Sequence, residues 1–479
     1  MTAPATTSPD LDFIFQPRSI AIAGVSAREN ASFGGGGFVQ ALQEVGFGGP
    51  IYLIHPTAPA IRGLKCYPSL RDIPWDVDYV ISSVSAKYVP DLLEDCIEKG
   101  TVRVLHLFTA GFTETGEEGR ADMERTVVAR AREAGIRVIG PNCMGLYVPG
   151  SRLAMMPGQI PEAGPVGMVS QSGMNAGEFV RYATPRGVRC SKVISFGNGA
   201  DLKAADFFDY LADDADTETI VAYIEGIQDG PRLAQAIRRA GEAKPLVILK
   251  SGRTEAGSRA ASSHTASLAG SVEVFDGLCK QARALRVESL DELVDMAVTF
   301  QFVKRLHGPN ICVVGAGGGA SVMAADDLDV VDLKLPTLLP ETQEALAKVT
   351  NEAGTSIRNP IDTMSVFEDH GFEATLTPVG QAPNVDAILY HTSFGFGFAS
   401  RMGDQRGRAE RQADGLARAQ EQSGKPVVVA IRPSLTPEAL EQANYFQEQC
   451  YRRGIATYPS IARAGNALSK LLQWQALQD

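Results

Sequence analysis

Short apolar, β-branched runs recur along the chain, each followed by a turn and an amphipathic stretch. SIAIAG (19–24), PIYLIHP (50–56), DYVISSV (78–84), VRVLHLF (102–108) and IRVIG (136–140) come first, with helical patterns such as 90–99 and 117–134 between them. Runs that are apolar at successive positions belong to strands covered on both faces. Their alternation with helices predicts parallel sheets. The pattern pauses in the proline- and glycine-rich stretch 148–165, which reads as a linker. It resumes with VGMVS (166–170), KVISF (192–196), TIVAYIE (219–225), PLVILK (245–250) and ALRVE (284–288), closed by a helix over 289–305. Between them, 251–271 is rich in Ser, Ala and Gly without periodicity and reads as an ordered loop. A third series follows at NICVVGAGGGASVMAADD (310–327), VDAILYH (385–391), PVVVAI (426–431) and GIATYP (454–459), with a last helix near 460–475. The expectation is three α/β domains in tandem, over 10–148, 163–305 and 308–479, with residues 1–10 a frayed tail.

The length of 479 residues agrees, at about 150 residues per domain. A net charge of −11 argues against a nucleic-acid groove or an anionic membrane surface as partner. Nor is there an apolar run of membrane-spanning length. The first residues, MTAPATTSPDLDFIFQP, have neither a basic nor an apolar signal region, so the expected location is the cytoplasm. The seven cysteines form no CxxC pair and no zinc-ligand spacing, so neither a disulfide framework nor a metal is expected.

Candidate chemistry lies in the turns. Gly24–Ser26, Ser170–Gly173, Gly197–Gly199 and Gly315–Gly319 each put small residues between a strand and a helix. A helix start offers unpaired N–H groups and a partial positive charge to an anion. The first turn is not a GxGxxG fingerprint. Gly315–Gly319 lacks the GxxxxGK[ST] spacing, and with it the lysine a P-loop needs. Of six histidines, His264 stands apart, in ASSHTASLAG, among small residues with no core pattern. An acidic residue, Glu225, ends a strand of the same domain. A neutral imidazole attacks an acyl phosphate when a carboxylate fixes its tautomer, and helix starts hold the phosphoryl oxygens. The run His391–Phe398 reads as packing at a strand end, with an aromatic-acid pocket as the other reading.

These stretches resemble the NDP-forming acyl-CoA synthetases, the superfamily that includes succinyl-CoA synthetase. The resemblance rests on PRSIAIAGVS, GLKCYPSL, TAGFTETGEEG, GPNCMGLYVP, GPVGMVSQSGMNAGEF, SFGNGADLKAADFFDYLADD, YIEGIQDG, KPLVILKSGRTEAG and SSHTASLAGS, in the family's order. It implies a Rossmann-like domain that binds coenzyme A, followed by two flavodoxin-like, succinyl-CoA synthetase-like domains. Gly24 and Ser26 would lie at the nucleotide end of the coenzyme, Val84 and Ala110 at later strand ends, and Asn142 and Cys143 near its thiol. His264 matches the phosphorylated histidine, and Glu225 its carboxylate partner. Ser172 and Gly173 match one phosphate-holding helix start, and Gly317, Gly318 and Gly319 a second. Asn359 and Asp362 match a loop near the acyl site.

Three departures from the family pattern stand out. Ala266 follows HisThr where glycine is usual. His55-Pro56-Thr57 replaces Asn-Pro-Lys and removes a lysine. No ATP-grasp domain is recognisable. The resemblance therefore implies a subunit of an NDP-forming ligase, expected to be ADP-forming, acting on a carboxylic acid, with Mg-ATP or ADP on a separate ATP-grasp chain. A homo-oligomeric core within a heteromer is expected. A non-catalytic CoA sensor and a nucleotide-independent CoA acyltransferase are the alternative readings.

Overall fold

The computed structural model of the chain describes residues 10–28, 33–257, 259, 271–350, 355–395, 404–432 and 436–478. Its strands form three sheets, and the chain groups into two compact units. One holds residues up to Arg181 together with Arg189–Leu290, and the other holds Tyr182–Val188 and the residues from Asp291 onward.

In the first unit, α1 (Asp12–Phe15) precedes β1 (Ile20–Ala23), α2 (Gly35–Val45), β2 (Ile51–Ile54), β3 (Ala60–Ile61) and β4 (Leu64–Tyr67). β5 (Tyr79–Ser82), α3 (Val89–Lys99), β6 (Val104–Leu107), α4 (Glu118–Glu133) and β7 (Arg137–Ile139) complete the first sheet's series. Strand order is β3-β4-β2-β1-β5-β6-β7, all parallel except the β3–β4 hairpin. β1, β5 and β6 are buried at every position, as their unbroken apolar runs require. Leu92, Leu93 and Cys96 of α3 and Val127 and Ala131 of α4 pack with Val80, Leu105 and Val138 of the strands in one core. α3 opens with a proline in its first turn and stops at Gly100 in the left-handed region, the usual asymmetry of helix ends.

The second sheet runs β13-β12-β11-β9-β10-β8. Its elements are β8 (Gly145–Tyr147), β9 (Val166–Ser170), α5 (Gly173–Ala183), β10 (Cys190–Ser195), α6 (Ala204–Asp213), β11 (Thr219–Ile224), α7 (Gly230–Ala243), β12 (Leu246–Lys250), α8 (Val272–Gln281) and β13 (Leu285–Val287). β8 is antiparallel to β10, with Leu146 opposite Ile194. Residues 145–147 therefore extend the second sheet, although the apolar pattern places them at the end of the first domain.

Two loops lock the sheets of this unit together. Asn198 and Ala200 N–H donate to the carbonyls of Pro141 and Gly140, both at 3.0 Å. Asp201, its side chain fully buried, accepts from Arg132, Arg137 and the N–H of Val138. Burial pushes this carboxyl up, but the hydrogen bonds and charge of Arg137, with Val138 and Arg132, hold it below the usual range.

The second unit contains α9 (Leu290–Phe302, from Asp291), β14 (Ile311–Gly315), α10 (Gly318–Asp329), α11 (Pro340–Ala347), β15 (Ile361–Asp362) and α12 (Asp369–Gln381). It continues with β16 (Ala387–Ser393), α13 (Gln405–Ser423), β17 (Val427–Arg432), α14 (Pro437–Arg452), β18 (Ala456–Tyr458) and α15 (Ile461–Gln478). Order β15-β14-β16-β17-β18 is the 2-1-3-4-5 pattern of flavodoxin-like folds. α9, expected to close the second domain, groups with this unit instead. Its Asp295 is ion-paired with Arg463 of α15 at 2.7 Å and with Arg186 at 2.6 Å. Arg186 also donates to the carbonyl of Thr457 at 2.6 Å, so residues 182–188 are built into the second unit.

Among the described residues, no helix is long and apolar enough to cross a membrane.

Candidate functional site

In open parallel sheets, ligands bind beyond the carboxyl ends of the strands, where the strand order reverses. Each of the three sheets has such a point, and most of the candidate residues that the structure describes lie at or near the carboxyl ends of its strands.

In the first sheet the order reverses between β1 and β5. Gly24 and Ser26 follow β1, Val84 follows β5, Ala110 follows β6, and Asn142 and Cys143 follow β7. Gly24, Ser26 and Ala110 are exposed at this edge, and Val84 and Asn142 are half-buried. Gly24 has φ +87°, and a Cβ there would lie 2.5 Å from the carbonyl carbon of Ser83 and 2.7 Å from the N of Val84. Both contacts are backbone, so neither can swing away. Gly24→Ala is expected to destabilise the first unit by about 2–4 kcal/mol, from strain plus overpacking, read in urea unfolding. The hydroxyl of Ser83 accepts the N–H of Gly35 at 3.0 Å and so fixes the start of α2. Thr109 donates to the carbonyl of Val84 at 2.9 Å. The Asn142 N–H donates to the carbonyl of Thr109 at 3.0 Å. Glu114 accepts from the N–H groups of Gly111 and Phe112 and from the amide of Asn198. Ser83, Thr109, Glu114 and Asn198 are thus the scaffold of the edge, and the strand pattern alone did not mark them.

Cys143 is buried, its thiol is pushed up to about 12 by burial, and its Sγ approaches the carbonyl of Leu107 at 3.7 Å. It is a thiol at neutral pH, not a thiolate nucleophile. His106 is also buried, beside the carbonyl of Cys143 at 3.3 Å, and burial lowers it to about 4. His55 accepts from the N–H groups of Thr57 and Ala58 and closes its own turn.

In the second sheet the reversal lies between β9 and β11. Ser172 caps α5 by accepting the N–H of Asn175 at 3.3 Å, and Ser170 donates to the carbonyl of Ser172 at 2.6 Å. Gly173 leaves room for Met144, whose Cγ would lie 2.4 Å from a Cβ there. Gln171, buried, accepts the N–H groups of Glu225 and Gly226 at 2.9 and 3.0 Å. One side chain therefore ties the start of α5 to the strand end that carries the carboxylate. Glu225 is itself buried. Burial pushes the Tyr223 phenol up to about 12, with Ser251, Glu225 and Asn175 as its polar neighbours.

Lys250, the last residue of β12, is buried and donates to the carbonyl of Glu225 at 2.7 Å and to that of Ser251. Burial lowers it to about 8, against the opposing charge of Glu225. It pins Glu225 to the root of the segment that carries His264. Gln171, Tyr223 and Lys250 were not singled out in the sequence. A lysine ending an otherwise apolar buried strand, as in PLVILK, is the signal that marks the last of them. His264 lies outside the described residues.

In the second unit, Gly317, Gly318 and Gly319 open α10 at the reversal between β14 and β16, and all three are exposed. Asp362 accepts the N–H of Gly317 at 2.7 Å, so a carboxylate already faces this turn. Asn359 is held by backbone groups. Its amide donates to the carbonyls of Ile311 and Pro336 at 2.7 and 3.2 Å and accepts the N–H of Val313 at 3.0 Å. It fastens the loop to β14. Thr392–Gly395 line a cavity of about 380 Å³ with Phe367 and Tyr445, while Phe394 also packs on Phe446. The run therefore packs and lines a pocket at once. Phe396–Phe398 lie outside the described residues.

Comparison with known proteins assigns two regions of the chain to known domain families. A CoA binding domain matches residues 18–149, and a succinyl-CoA ligase like flavodoxin domain matches residues 163–300. That pairing defines an acyl-CoA ligase. The chain is 33% identical to the α subunit of an ADP-forming acetate–CoA ligase I from Pyrococcus furiosus, over 97% of both chains. It is 35% identical to an ADP-forming acetate–CoA ligase II from Archaeoglobus fulgidus, over 80% of this chain and 57% of that one. Among solved structures, acetyl-coenzyme A synthetase 1 of Ca. Korarchaeum cryptofilum, in complex with phosphate and ADP, matches with a TM-score of 0.80 and 31% identity, over 98% of this chain and 97% of that one. The chain belongs to the family of ADP-forming acetate–CoA ligase α subunits.

Proposed function

We propose that this chain is the CoA-binding and phosphohistidine subunit of an ADP-forming acyl-CoA ligase whose nucleotide is handled by a separate ATP-grasp chain. The observation that carries the reading is the Gln171 link, which holds Glu225 beside the capped start of α5 at the reversal point of the second sheet. β12 leads from that point, through Lys250, into the segment bearing His264. A phosphoryl-accepting histidine needs these elements: a carboxylate for one ring nitrogen and a helix start for the phosphoryl oxygens.

In the reaction, Nε2 or Nδ1 of His264 takes a phosphoryl group from ATP, releasing ADP. The substrate carboxylate then attacks this phosphorus, forming an acyl phosphate and freeing the histidine. The CoA thiol, losing its proton, attacks the acyl carbon and expels phosphate. Glu225 stabilises the charge that develops on the imidazole. The first-turn N–H groups of α5 hold the phosphoryl oxygens, and the Gly317–Gly319 turn offers a second anion site. The Gly24 cradle, which a Cβ would fill, suits the close approach of the coenzyme's phosphates to backbone, with Ser26, Val84, Ala110 and Asn142 along the same edge. Mg²⁺ would accompany the nucleotide on the partner. The α-subunit names of the relatives, and the partial coverage of the Archaeoglobus chain, support the need for that partner.

Titration calorimetry tests the division of labour. The purified chain is expected to bind CoA and not Mg·ATP, and a co-expressed ATP-grasp chain to restore ATP-dependent acyl-CoA formation. Tight Mg·ATP binding by the lone chain, lost on Gly317→Val, would place a nucleotide site in the second unit and overturn the reading.

A further inference from the structure

The cavity of about 380 Å³ in the second unit has no role in the proposed reaction. Its volume lies in the range of small-molecule sites. Side chains alternate between the faces of a strand, so Tyr390 and Thr392 lie on one face of β16 and His391 on the other. His391 lies against Gly315, at the turn that opens α10. The cavity is lined by Thr392 together with Ala409 of α13 and Tyr445 of α14. It is therefore on the opposite face of β16 from that turn.

Its floor is polar. Thr392 and Gln412 are both buried there. Gln412 donates its amide to the carbonyl of Val366 at 3.1 Å, and its own carbonyl oxygen has no partner among the described residues. The hydroxyl of Tyr390 is fully buried with Thr392 as its polar neighbour, and it has no hydrogen-bond partner among the described residues. Native proteins seldom bury such groups without a reason. The walls are aromatic, from Phe367, Phe394 and Tyr445. The rim carries both signs of charge. Arg406 is paired with Glu441 at 3.0 Å and lies 5.2 Å from the centre of the Tyr445 ring. Asp404 is spent on capping α13, where it accepts the N–H of Gly407 at 2.9 Å. Arg408 and Glu438 also stand at the rim. Glu438, exposed in the first turn of α14, has no ion pair among the described residues. An acidic first turn also suits the helix dipole, so Glu438 marks a site only together with the cavity beside it. Gly395, with φ +83°, brings the chain after β16 against α14, and a Cβ there would lie 2.7 Å from that of Ala439.

A simple carboxylate at this rim would meet Glu438 and Glu441, and a simple amine would meet Arg406 and Arg408. A ligand that carries both charges side by side satisfies both sets. We propose that the cavity binds an aromatic α-amino acid whose ring carries a hydroxyl at its far end. The ring lies among Phe367, Phe394 and Tyr445, and its hydroxyl donates to the carbonyl oxygen of Gln412. The α-carboxylate pairs with Arg408 and the α-ammonium with Glu438. Coenzyme A, phosphate and a simple carboxylic acid lack this combination. The site is therefore separate from the reacting groups, and it stands or falls independently of the ligase reading.

The test is calorimetric titration of the full-length chain with a series of probes. L-tyrosine carries every feature, L-phenylalanine lacks the ring hydroxyl, tyramine lacks the carboxylate and 4-hydroxyphenylacetate lacks the ammonium. L-tyrosine is expected to bind at one saturable site, and each truncated probe about tenfold more weakly or worse, as the loss of a buried or charged hydrogen bond requires. Arg408→Gln is expected to bring L-tyrosine down to the affinity of tyramine while leaving tyramine unchanged. Glu438→Gln is expected to bring it down to that of 4-hydroxyphenylacetate. Both positions lie at the rim, and an unchanged unfolding temperature shows that each variant keeps the fold. The probe series on the parent chain needs no variant at all. The proposal is overturned by an absence of saturable L-tyrosine binding, by 4-hydroxyphenylacetate or tyramine binding as tightly as L-tyrosine, or by an L-tyrosine affinity that neither substitution changes.

Discussion

A chain carrying His264→Asn is expected to take up no label from [γ-³²P]ATP in the presence of the proposed ATP-grasp partner, and none from labelled phosphate with acyl-CoA. Asparagine offers an amide where the reaction needs a nucleophilic ring nitrogen, so acyl-CoA formation should fall by ~10⁴-fold or more. CoA binding should persist, because the first sheet's edge is built without this residue. The label in the parent chain should be acid-labile and base-stable, as a phosphoramidate is. Label of that character on the His264→Asn chain would move the nucleophile elsewhere.

Glu225→Gln is the second large effect. Glutamine keeps the length of the side chain and part of its hydrogen bonding but removes the charge. Phosphoryl transfer is expected to slow by about 10²–10⁴-fold, the range for a positioned acid–base partner. The backbone N–H of Glu225 would still be held by Gln171, so the turn should not collapse. The loss should therefore appear in the rate of phosphorylation and not in CoA affinity or thermal stability. Unchanged phosphorylation kinetics would remove Glu225 from the site.

What could be read without the structure divides along physical lines. The parallel strands were legible because double burial makes them continuous apolar runs, and VGMVS coincides with β9 residue for residue. The antiparallel pieces were not. β8, of three residues, sits in a stretch crowded with proline and glycine, and the β3–β4 hairpin is too short for a pattern of its own.

Membership of a unit was also hidden. α9 looks like the last helix of its predecessor, and contacts such as the Asp295–Arg463 pair reveal where it packs. At the candidate sites, the residues proposed to meet ligands stand out as turns of small residues. The polar side chains behind them stand alone within apolar or mixed runs. Gln171, Lys250 and Asn359 do their work through backbone groups, which leave no mark in a sequence. Asp362 and Gly317 are 45 positions apart, and nothing in their spacing announces the hydrogen bond between them.

The seven residues 182–188 bear on how such chains can be recombined. A swap of the second-sheet region between relatives, cut after β13 and before α9, would carry Arg186 along and import a foreign residue in its place. Asp295, 3% exposed, would then face Arg463 alone. A buried carboxylate that loses one of two cations is costly to leave. Natural or engineered hybrids should tolerate exchange only when Arg186, Asp295 and the Thr457 carbonyl travel together. The smallest portable part of this protein is thus larger than the domains that its sequence outlines.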